Sequence, residues 1–400
     1  MPNLNNQTRV LLVVSPSPYA QTFGSQLRVK NLWDSLQRYC QPSLVLASVK
    51  EYDPAVLKIT GEQCDLRAVY RLQPQKTGVS GLIKSELSST YLNTHGFSFD
   101  QADRESFLKL ADTFDAIWFH TLRIPNALGI YKLGKPTILD ADDLLSQFHA
   151  TAALNSKGFA KILSLKRAWQ WRRRERQLLS RFDVVTVCSE DDKKNLGGSD
   201  RIRVIPNSFK ANQSPISQKR TGAPTIGFVG LLTYEPNRDG LLWFLQKVWP
   251  LVLNKIPNAR CRIAGKGSKE LSEAFGSNVE GIGWLDEIGD EIRQWWITIV
   301  PVHVGGGTRV KIATAFSHGC PVVSTTLGAY GYEITNGKEL LLADTPTDFA
   351  EACIKLILEP ECANNLARNA LAAFNRLWSS DAIAPKVAQA VEAACNLSPQ

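Results

Sequence analysis

The chain repeats one pattern along its length: a short run of aliphatic or β-branched residues, a loop containing Gly or Pro, and a segment with helical periodicity. Strand-like runs occur at Arg9–Val14, Ser43–Ala47, Ala116–Phe119, Pro136–Leu139, Val184–Cys188, Val204–Ile205, Thr225–Val229, Ala259–Ala264, Ile297–Val302 and Pro321–Thr325. Helix-like segments include Ser25–Arg38, Ser106–Thr113, Lys161–Ser180 and Asp381–Cys395. Strands that alternate with helices predict an α/β protein with parallel sheets covered on both faces.

The length of 400 residues favours two domains. Between the halves lies a polar stretch with two prolines, Ser208–Pro224, which is typical of a linker. We therefore predict an N-terminal domain over 1–210, a linker over 211–224, a second domain over 225–378, and a C-terminal helix over 379–400 that returns to the first domain. Two doubly wound, Rossmann-like domains would face each other across a cleft and bind ligands at the carboxyl ends of their strands.

Several classes of protein do not fit this sequence. No signal peptide and no apolar run long enough to span a membrane is apparent, so we expect a cytoplasmic protein. The eight cysteines are scattered singly, which indicates reduced, mostly buried thiols and neither a zinc site nor a disulfide framework. The net charge of +8 leaves phosphorylated ligands, anionic lipids and nucleic acids open as partners.

The most informative loop follows the strand-like run Ile297–Val302 and contains three consecutive glycines, Gly305, Gly306 and Gly307. Such a loop lets the backbone approach an anion closely, and Thr308 is a candidate cap for the helix that follows. Arg309 and Lys311 fall in the first turn, where the helix dipole disfavours cations. The pattern favours a phosphate site, and the alternative is a tight turn with solvated basic side chains. Further along the helix, Lys311, Thr314 and His318 share one face.

The first domain shows a weaker version of the same arrangement. A loop with Gly24 follows the first strand, and Ser25 is a candidate cap for a helix that carries Arg28 and Lys30. This predicts a second helix start that faces an anion, although strand–loop–helix units with one glycine are common in proteins without such a site.

Other polar residues or glycines also follow strands. They are His120, the cluster Asp140, Asp142 and Asp143, Gly230, and the pair Gly265 and Gly267. Each has an ordinary structural explanation as well: a histidine satisfied by its neighbours, acidic residues that cap a helix near Leu144, or a lone GxG turn.

A strongly basic segment, from Lys161 to Phe182, carries eight Lys or Arg residues and one Glu, with Trp169 and Trp171 among them. Its residues Lys161–Arg181 could lie on an anionic membrane surface, which would make the protein peripheral on the inner face of the membrane. Alternatively, the segment is a solvated helix whose Leu165, Trp169, Leu178 and Phe182 pack on the sheet. We consider nucleic acid an unlikely partner.

Several stretches together resemble a known family, the GT-B glycosyltransferases often called glycosyl transferases group 1. The resemblance is strongest over Thr225–Asp348, through GFVGLLTYEPNRDGLLWF and GGGTRVK with GCPVVSTTLGAYG, and extends loosely to RVLLVVSPSP, LDADDL and FDVVTVCSEDD. It implies the GT-B architecture and transfer of a sugar from a UDP- or GDP-sugar to a glycan, lipid-linked or small-molecule acceptor, as in polysaccharide biosynthesis. The nucleotide-sugar is a substrate, so no cofactor and no metal are implied.

The resemblance also implies roles for individual residues. Arg309 and Lys311 would compensate the diphosphate, Gly24 would lie beneath it, and His120 would lie near the sugar. The remaining donor-binding positions would be Gly230, Gly265, Gly267, Gly283, Trp284, Leu285, Gly305, Gly306, Gly307, Thr308 and Thr314. The acceptor side would include Arg28, Asp140 and Asp142.

Three alternatives to this reaction remain open. Most relatives retain anomeric configuration, whereas Asp140 or Asp142 as a general base would suit inversion. The family commonly carries two glutamates separated by seven residues, and Gly306 and Thr314 occupy those positions here. This departure motivates a second hypothesis, a catalytically silent subunit that binds a partner or a glycan. A nucleotide-sugar epimerase on the same fold is less favoured, since the motifs do not match one.

Overall fold

The protein is described here from a computed structural model, which describes residues 7–19, 24–75, 78–210 and 222–397. The chain separates into two compact units, one formed by Met1–Asn207 with Ser380–Gln400 and the other by Ser208–Ser379. The predicted linker, 211–224, lies outside the described residues up to position 221.

The first unit contains a sheet of seven parallel strands in the order β3-β2-β1-β6-β7-β8-β9. These strands are β1 (Arg9–Val14), β2 (Gln41–Ser48), β3 (Leu66–Arg71), β6 (Ala116–His120), β7 (Thr137–Asp140), β8 (Val184–Val187) and β9 (Ile202–Val204), and a small antiparallel pair is formed by β4 (Gln73–Pro74) and β5 (Phe97–Ser98). β1 reads RVLLVV and its last five residues are buried, as expected for a parallel strand covered on both faces.

The helices of the first unit cover both faces of this sheet. They are α1 (Ser25–Leu36), α2 (Pro54–Gln63), α3 (Val79–Leu87), α4 (Gln101–Ala111), α5 (Arg123–Ala127), α6 (Leu145–Leu154), α7 (Gly158–Glu175), α8 (Leu178–Arg181), α9 (Glu190–Asn195) and, from the end of the chain, α17 (Ser380–Leu397), with a 3₁₀ turn at Asn93–His95. α17 packs against α1 and the sheet through Ile383, Val387, Ala390, Val391 and Ala394, which recur with helical spacing.

The second unit contains a sheet of six parallel strands in the order β12-β11-β10-β13-β14-β15. The strands are β10 (Thr225–Val229), β11 (Arg260–Ala264), β12 (Val279–Gly283), β13 (Ile297–Val300), β14 (Val322–Ser324) and β15 (Leu341–Leu342). The helices are α10 (Glu235–Trp243), α11 (Trp249–Lys255), α12 (Ser268–Ser272), α13 (Gly289–Ile292), α14 (Val310–Ser317), α15 (Pro346–Leu358) and α16 (Pro360–Leu377), with a π-helical stretch, Phe244–Val248, between α10 and α11.

Each sheet has one point at which the strand order reverses. In the first unit it lies between β1 and β6, and in the second between β10 and β13. Connections leave such a point toward opposite faces of the sheet, so a crevice opens at the carboxyl ends of the two strands. His120 ends β6, Gly230 directly follows β10, and the glycine loop 305–307 follows β13. The chain therefore delivers these predicted residues to the reversal points of its two sheets.

Candidate functional site

Three predicted glycines form a tightly packed rim in the second unit, at the ends of the adjacent strands β10, β11 and β12. The backbone N–H of Gly230 donates to the carbonyl of Ala264 at 2.9 Å, and that of Gly265 donates to the carbonyl of Gly283 at 2.7 Å. Gly265 has φ +137°, and a Cβ there would lie 2.0 Å from the carbonyl oxygen of Gly230. Because no side chain fits at this place, the rim presents backbone that a ligand can approach closely.

Arg309 folds back over the glycine loop that precedes it. Its Nη1 donates to the carbonyls of Gly306 and Gly307, the latter at 2.7 Å, and Nη2 would lie 2.7 Å from a Cβ on Gly305. The expected cap at Thr308 is not found, because α14 begins at Val310 with Arg309 as its N-cap residue and without a side-chain capping bond. The guanidinium thus lies directly over Gly305–Gly307, at the start of α14, where an anion would be stabilised.

Lys311 is an unusual cation, because its side chain is almost wholly buried. Nζ donates to Oδ1 of Asn237 at 2.9 Å and lies 4.2 Å from the ring centroid of Phe228. Within the described part of the chain, no carboxylate lies within ion-pair distance of it. Burial, and then the charge of Arg309, lower the pKa of Lys311 from 10.5 to about 7.

The position of Lys311 connects it to the glycine rim. A Cβ on Gly230 would lie 3.2 Å from Nζ of Lys311 and 2.9 Å from Nδ2 of Asn237. The charge of Arg309 is close enough to affect the pKa of Lys311. The structure therefore brings two cations and the predicted glycines at 230 and 305–307 into one region, where an anion of two phosphates would be balanced electrostatically.

The other residues predicted to bind the donor lie after β11, at or after the end of β12, or within α14. Gly267 has φ +87° and is the N-cap residue of α12, and Gly283 has φ +81° and donates its N–H to Oγ of Ser268 at 2.9 Å. Trp284 donates from Nε1 to Asp286 at 3.0 Å, and Leu285 beside it is half-buried. Thr314 donates its hydroxyl to the carbonyl of Val310 in its own helix, at 3.0 Å.

His318 ends the polar face predicted for α14. Its Nδ1 lies 2.9 Å from the carbonyl of Thr314, and its Nε2 would lie 2.6 Å from a Cβ on Gly289. Ile312, Ala315 and Phe316 on the opposite face are fully buried, as the spacing predicted. The side chain of His318 is thus held against its own helix and the turn at Gly289.

In the first unit, Asp140 is the centre of a buried network at the carboxyl end of β7. Arg28 donates to both carboxylate oxygens, from Nε at 3.0 Å and from a terminal nitrogen at 2.6 Å, and the Thr186 hydroxyl donates to Oδ1 at 2.7 Å. Nδ1 of His120 lies 2.9 Å from Oδ2. Another Arg28 nitrogen donates to the carbonyl of Ile205. All the hydrogen bonds of this network are therefore shielded from water.

The charges in this network keep the carboxyl group of Asp140 ionised. Burial alone would raise the pKa of Asp140, but the charge of Arg28 and the hydrogen bonds from His120 and Arg28 hold that pKa well below its usual range. The ionised carboxylate is an acceptor only, so Nδ1 of His120 donates the hydrogen bond between them. Nε2 is buried and has no hydrogen-bond partner within the described residues.

This network corrects the roles predicted for Arg28 and Asp140. We expected Arg28 to face an anion and Asp140 to be available as a base, but their exposures are 2% and 0%, and their charges neutralise each other. Their sequence positions follow strand and helix starts as predicted, but the two side chains meet each other instead of a ligand. Lys30, the other cation on α1, is paired with Asp34.

A cavity of about 610 Å³ lies beside the network in the first unit. It opens at the carboxyl ends of β1, β2, β6 and β7, and its walls include His120, Asp142 and Tyr52, with Trp171 and Glu175 contributed by α7. Thr121 and Asp142, next to it, have positive φ angles of 66° and 50°, which non-glycine residues seldom adopt. Such strain concentrates at functional sites, so this cavity is a second candidate functional site.

The acidic cluster does not cap the next helix, which was its structural alternative. α6 begins at Leu145 with Leu144 as N-cap residue and no side-chain capping bond. Asp142 and Asp143 instead line the cavity, and Oδ1 of Asp142 accepts from the thiol of Cys188 at 3.4 Å.

At the start of α1, Gly24 is the N-cap residue with φ +81°, and Ser25 is the first helical residue and not the cap. The preceding loop positions 20–23 lie outside the described residues. The placement of Gly24 beneath a diphosphate therefore remains a prediction.

The basic segment forms α7 and α8, and one part of the prediction for its apolar residues is wrong. Leu178 and Phe182 are buried in the core, but Leu165 is 51% exposed and Trp169 is 56% exposed. Helical periodicity places Ala168 and Glu175 on the inner face instead, and both are buried.

Within the described residues, no group of three His, Cys, Asp or Glu side chains is arranged to hold a metal ion. In the same ranges, no helix has the length and apolar character that crossing a bilayer requires.

Several residues around Lys311 and around the cavity of the first unit could not be predicted from the sequence. Asn237 and Phe228 around Lys311 carry no recognisable signal, apart from the position of Asn237 in the first turn of a helix that follows a glycine-ended strand. In the first unit, Thr186 joins the Asp140 network from β8, whereas Tyr52 and Glu175 reach the cavity from a loop and from α7. Their roles depend on packing and not on local sequence.

Comparisons with known proteins agree with this geometry. Residues 223–359, in the second unit, match the family model described as glycosyl transferases group 1. A protein of the cps region of Klebsiella pneumoniae, described as an uncharacterised 44.6 kDa protein, is 24% identical over 273 residues, covering 63% of this chain and 69% of that one.

Solved structures are similar over nearly the whole chain. Anabaena HepE in complex with UDP-glucose is 14% identical with a TM-score of 0.65, covering 96% of this chain and 99% of that one. Sucrose-phosphate synthase from Thermosynechococcus elongatus is 16% identical with a TM-score of 0.67, covering 96% and 98%. The pneumococcal O-GlcNAc transferase GtfA in complex with UDP and GlcNAc is 10% identical with a TM-score of 0.67, covering 98% and 99%. The chain therefore has the GT-B fold of these solved structures, and its residues 223–359 match the glycosyl transferases group 1 family.

Proposed function

We propose that the protein is a glycosyltransferase that takes its sugar from a nucleotide diphosphate sugar, a UDP- or GDP-sugar, which the second unit binds. The observation that carries the proposal is the buried ammonium of Lys311, which has an amide and an aromatic ring for partners where a structural lysine would have a carboxylate. A buried charge without a counter-ion is unfavourable for the fold, and an anionic ligand would relieve that cost. Similar structures were captured with UDP or UDP-glucose, which supports a diphosphate as that ligand.

In this proposal the second unit stabilises the leaving group. The bond between the anomeric carbon and the diphosphate breaks through an oxocarbenium-like state, and negative charge develops on the departing phosphate. Lys311, Arg309 and the backbone amides of Gly305–Gly307 would balance that charge. Because cations and amides fill this role, we propose that the reaction needs no metal ion. Retention of activity in EDTA would support this, and restoration of lost activity by Mg²⁺ or Mn²⁺ would contradict it.

We propose that the acceptor binds in the cavity of the first unit. Nε2 of His120 would form a hydrogen bond with a sugar or acceptor hydroxyl, since Asp140 engages Nδ1 and Nε2 has no partner within the described residues. The indole of Trp171 in the cavity wall is the kind of surface on which a sugar ring or an apolar group packs. The acceptor class remains a glycan, a lipid-linked saccharide or a small molecule.

We further propose that the transfer retains anomeric configuration. The burial and pairing of Asp140 remove one of the two carboxylates that inversion could use as a base, and they leave Asp142. In a retaining reaction the departing phosphate itself takes the acceptor proton. An NMR assignment of the anomeric centre in the product of the unchanged chain would decide between the two outcomes. An inverted product, together with loss of transfer in Asp142→Asn, would overturn the proposal.

The setting we propose is polysaccharide assembly, with the protein at the inner face of a membrane. The relative from a cps region supports the first part. The basic helix α7 supports the second, since it carries six Lys or Arg residues.

A thermal-shift screen with UDP, GDP, ADP and their sugars tests the donor proposal. A matching ligand should raise the unfolding temperature, and the rise should shrink in Lys311→Met but not in Lys255→Met, an exposed lysine of the same unit. A catalytically silent subunit is a second candidate, because Gly306 and Thr314 stand where the family commonly carries two glutamates. Stabilisation by a nucleotide sugar without hydrolysis or transfer across a panel of acceptors would favour that candidate.

A further inference from the structure

Apolar side chains are exposed mainly on three helices of the first unit. Ten of the sixteen large hydrophobic residues exposed in the described ranges belong to α3, α6 and α7. They are Val79, Leu82, Ile83, Leu87, Leu145, Leu154, Phe159, Ile162, Leu165 and Trp169. Exposed apolar groups scattered singly are ordinary, but a cluster of this kind indicates a surface that another apolar phase covers.

The two longest of these helices form an antiparallel hairpin. Its base is closed by a hydrogen bond from the backbone N–H of Ser146, at the start of α6, to Oε1 of Glu175, at the end of α7, at 3.0 Å. At the opposite end, the tip, Leu154 is 80% exposed and Phe159 is 79% exposed. The hairpin thus ends in two large apolar side chains in water, which is costly for a protein that meets only solvent.

The exposed residues lie on one stripe of each helix. On α7, Phe159, Ile162, Leu165 and Trp169 are spaced by three, three and four residues, so they share a face. On α3, Val79, the pair 82–83 and Leu87 follow the same spacing. We name the two stripes with the hairpin tip the apolar platform.

Polar contacts hold α3 beside α7. Glu86 on α3 accepts from Lys166 at 2.5 Å and from Gln170 at 2.6 Å. The guanidinium of Arg173 donates to the carbonyl of Leu87 at 3.3 Å and lies 4.7 Å from the ring of Trp169. Arg173 therefore links the end of the α3 stripe to the end of the α7 stripe.

The charged side chains of α7 indicate which kind of partner fits the platform. α7 carries Lys161, Lys166, Arg167, Arg172, Arg173 and Arg174, and its single acidic residue, Glu175, is buried. A helix with exposed aromatic and aliphatic side chains among cations is the composition that binds an anionic lipid surface. A second copy fits less well, because a symmetric contact would place the same cations against each other.

We propose that the apolar platform docks on an anionic lipid bilayer, with Leu154, Phe159 and Ile162 entering the headgroup boundary. The cations of α7 that do not bind α3, Lys161, Arg167 and Arg172, would face lipid phosphates. This deepens the proposed setting at a membrane and rests on it, but the binding does not depend on donor or acceptor, so its failure would leave the sugar-transfer proposal untouched. The structure assigns α3 to the surface together with the basic helix.

Vesicle binding by the full chain tests the proposal. We expect co-sedimentation with vesicles of phosphatidylcholine mixed with phosphatidylglycerol, weak binding to phosphatidylcholine alone, and weaker binding as salt rises. The apolar variant Phe159→Ser/Leu165→Ser and the charge variant Lys161→Gln/Arg167→Gln should each lower the partition coefficient by roughly 10-fold or more. Leu358→Ser and Lys255→Gln, exposed positions of the second unit, serve as matched controls and should bind like the unchanged chain.

Other results would overturn the proposal. Equal binding by all five proteins, or no binding to anionic vesicles by the unchanged chain, would exclude a lipid partner for the platform. A dimer in sedimentation velocity that the apolar variant converts to monomer would show that a second copy covers it. Since the four variants change exposed side chains, unaltered unfolding temperatures confirm that they remain folded.

Discussion

The ammonium of Lys311 and the side-chain amide of Asn237 are joined by a 2.9 Å hydrogen bond beneath the glycine rim. The amide oxygen is a neutral acceptor, so it orients the ammonium without cancelling its charge. A carboxylate at the same place would have satisfied the lysine and removed its attraction for phosphate. This choice of partner connects the stability of the fold to the binding of a donor.

Lys311→Met should weaken binding of UDP and stabilise the fold in the same variant. Loss of a charge-assisted contact of about 1.5–3 kcal/mol corresponds to roughly 10- to 100-fold weaker binding. Removal of a buried cation should raise the free energy of unfolding near pH 6 by about 1 kcal/mol or more, since each pKa unit of depression is worth about 1.4 kcal/mol. Titration calorimetry and urea unfolding measure the two effects, with Lys255→Met as the control. Unchanged affinity for UDP would contradict the assignment of Lys311 to the diphosphate.

Binding of UDP should depend on pH through Lys311. In the free protein its pKa is about 7, so above this pH much of the ammonium has lost its proton. A bound diphosphate favours the protonated form, so binding takes up a proton and affinity falls as pH rises above about 7, by at most about 10-fold per unit. Calorimetry at pH 8 in buffers of different ionisation enthalpy measures the uptake. An uptake that persists in Lys311→Met would assign it to another group.

The same pKa predicts the sign of a stability change without ligand. Between about pH 7 and 10.5 the unfolded lysine holds a proton that the folded one has released. The contribution of Lys311 to the free energy of unfolding should therefore rise with pH across this window. The difference between Lys311→Met and the unchanged chain in urea should shrink over the same interval, and a constant difference would contradict the depressed pKa.

Gly265→Ala should disrupt the rim of the donor site. A Cβ would lie 2.0 Å from the carbonyl oxygen of Gly230, and the φ of +137° is strained for alanine. We expect a loss of about 1–3 kcal/mol in the free energy of unfolding and weaker UDP binding. Gly276→Ala is the matched control, because nothing lies within 4 Å of its Cβ and its φ is ordinary. Equal urea midpoints for the two variants would argue against the tight packing of Gly265 on Gly230.

Asp140→Asn should destabilise the first unit by about 3–5 kcal/mol, because it leaves the guanidinium of Arg28 buried without a counter-ion. The double variant Arg28→Met/Asp140→Leu should lose less, since it removes both charges together. Urea unfolding of the single and double variants measures this difference. A double variant as unstable as the single one would show that the hydrogen bonds, and not the charges, dominate.

Acid should diminish the effect of Asp140→Asn. The pKa of Asp140 is lowered in the folded state, so its contribution is present above the unfolded pKa and is lost as pH falls through the lower folded pKa. The gap between Asp140→Asn and the unchanged chain should persist at neutral pH and narrow only in strong acid. A gap that closes near pH 5 would show that the carboxylate is not held in its ionised form.

Elements with a strong local signal could be predicted from the sequence alone. β1 and β10 have the bounds that their aliphatic runs predicted, because a strand buried on both faces must be apolar throughout. β3, β12 and β15 were not predicted. β3 lies at a sheet edge and alternates with charged residues, β12 contains two glycines, and β15 has two residues, so none of them carries a continuous apolar run.

The sequence by itself determined where chemistry lies along the chain. It placed Gly230, His120 and the loop 305–307 after strands, and a parallel sheet collects the ends of its strands at one edge. Only the tertiary structure decided what those residues meet. Arg28 and Asp140 are 112 positions apart, and their pairing depends on how α1 packs over β7. Likewise, periodicity showed that α7 has an apolar stripe but not that water covers it, and the pKa of Lys311 depends on the burial that surrounding elements impose. Charge and hydrophobicity are properties of single residues, whereas desolvation and pairing are properties of the neighbours that folding supplies.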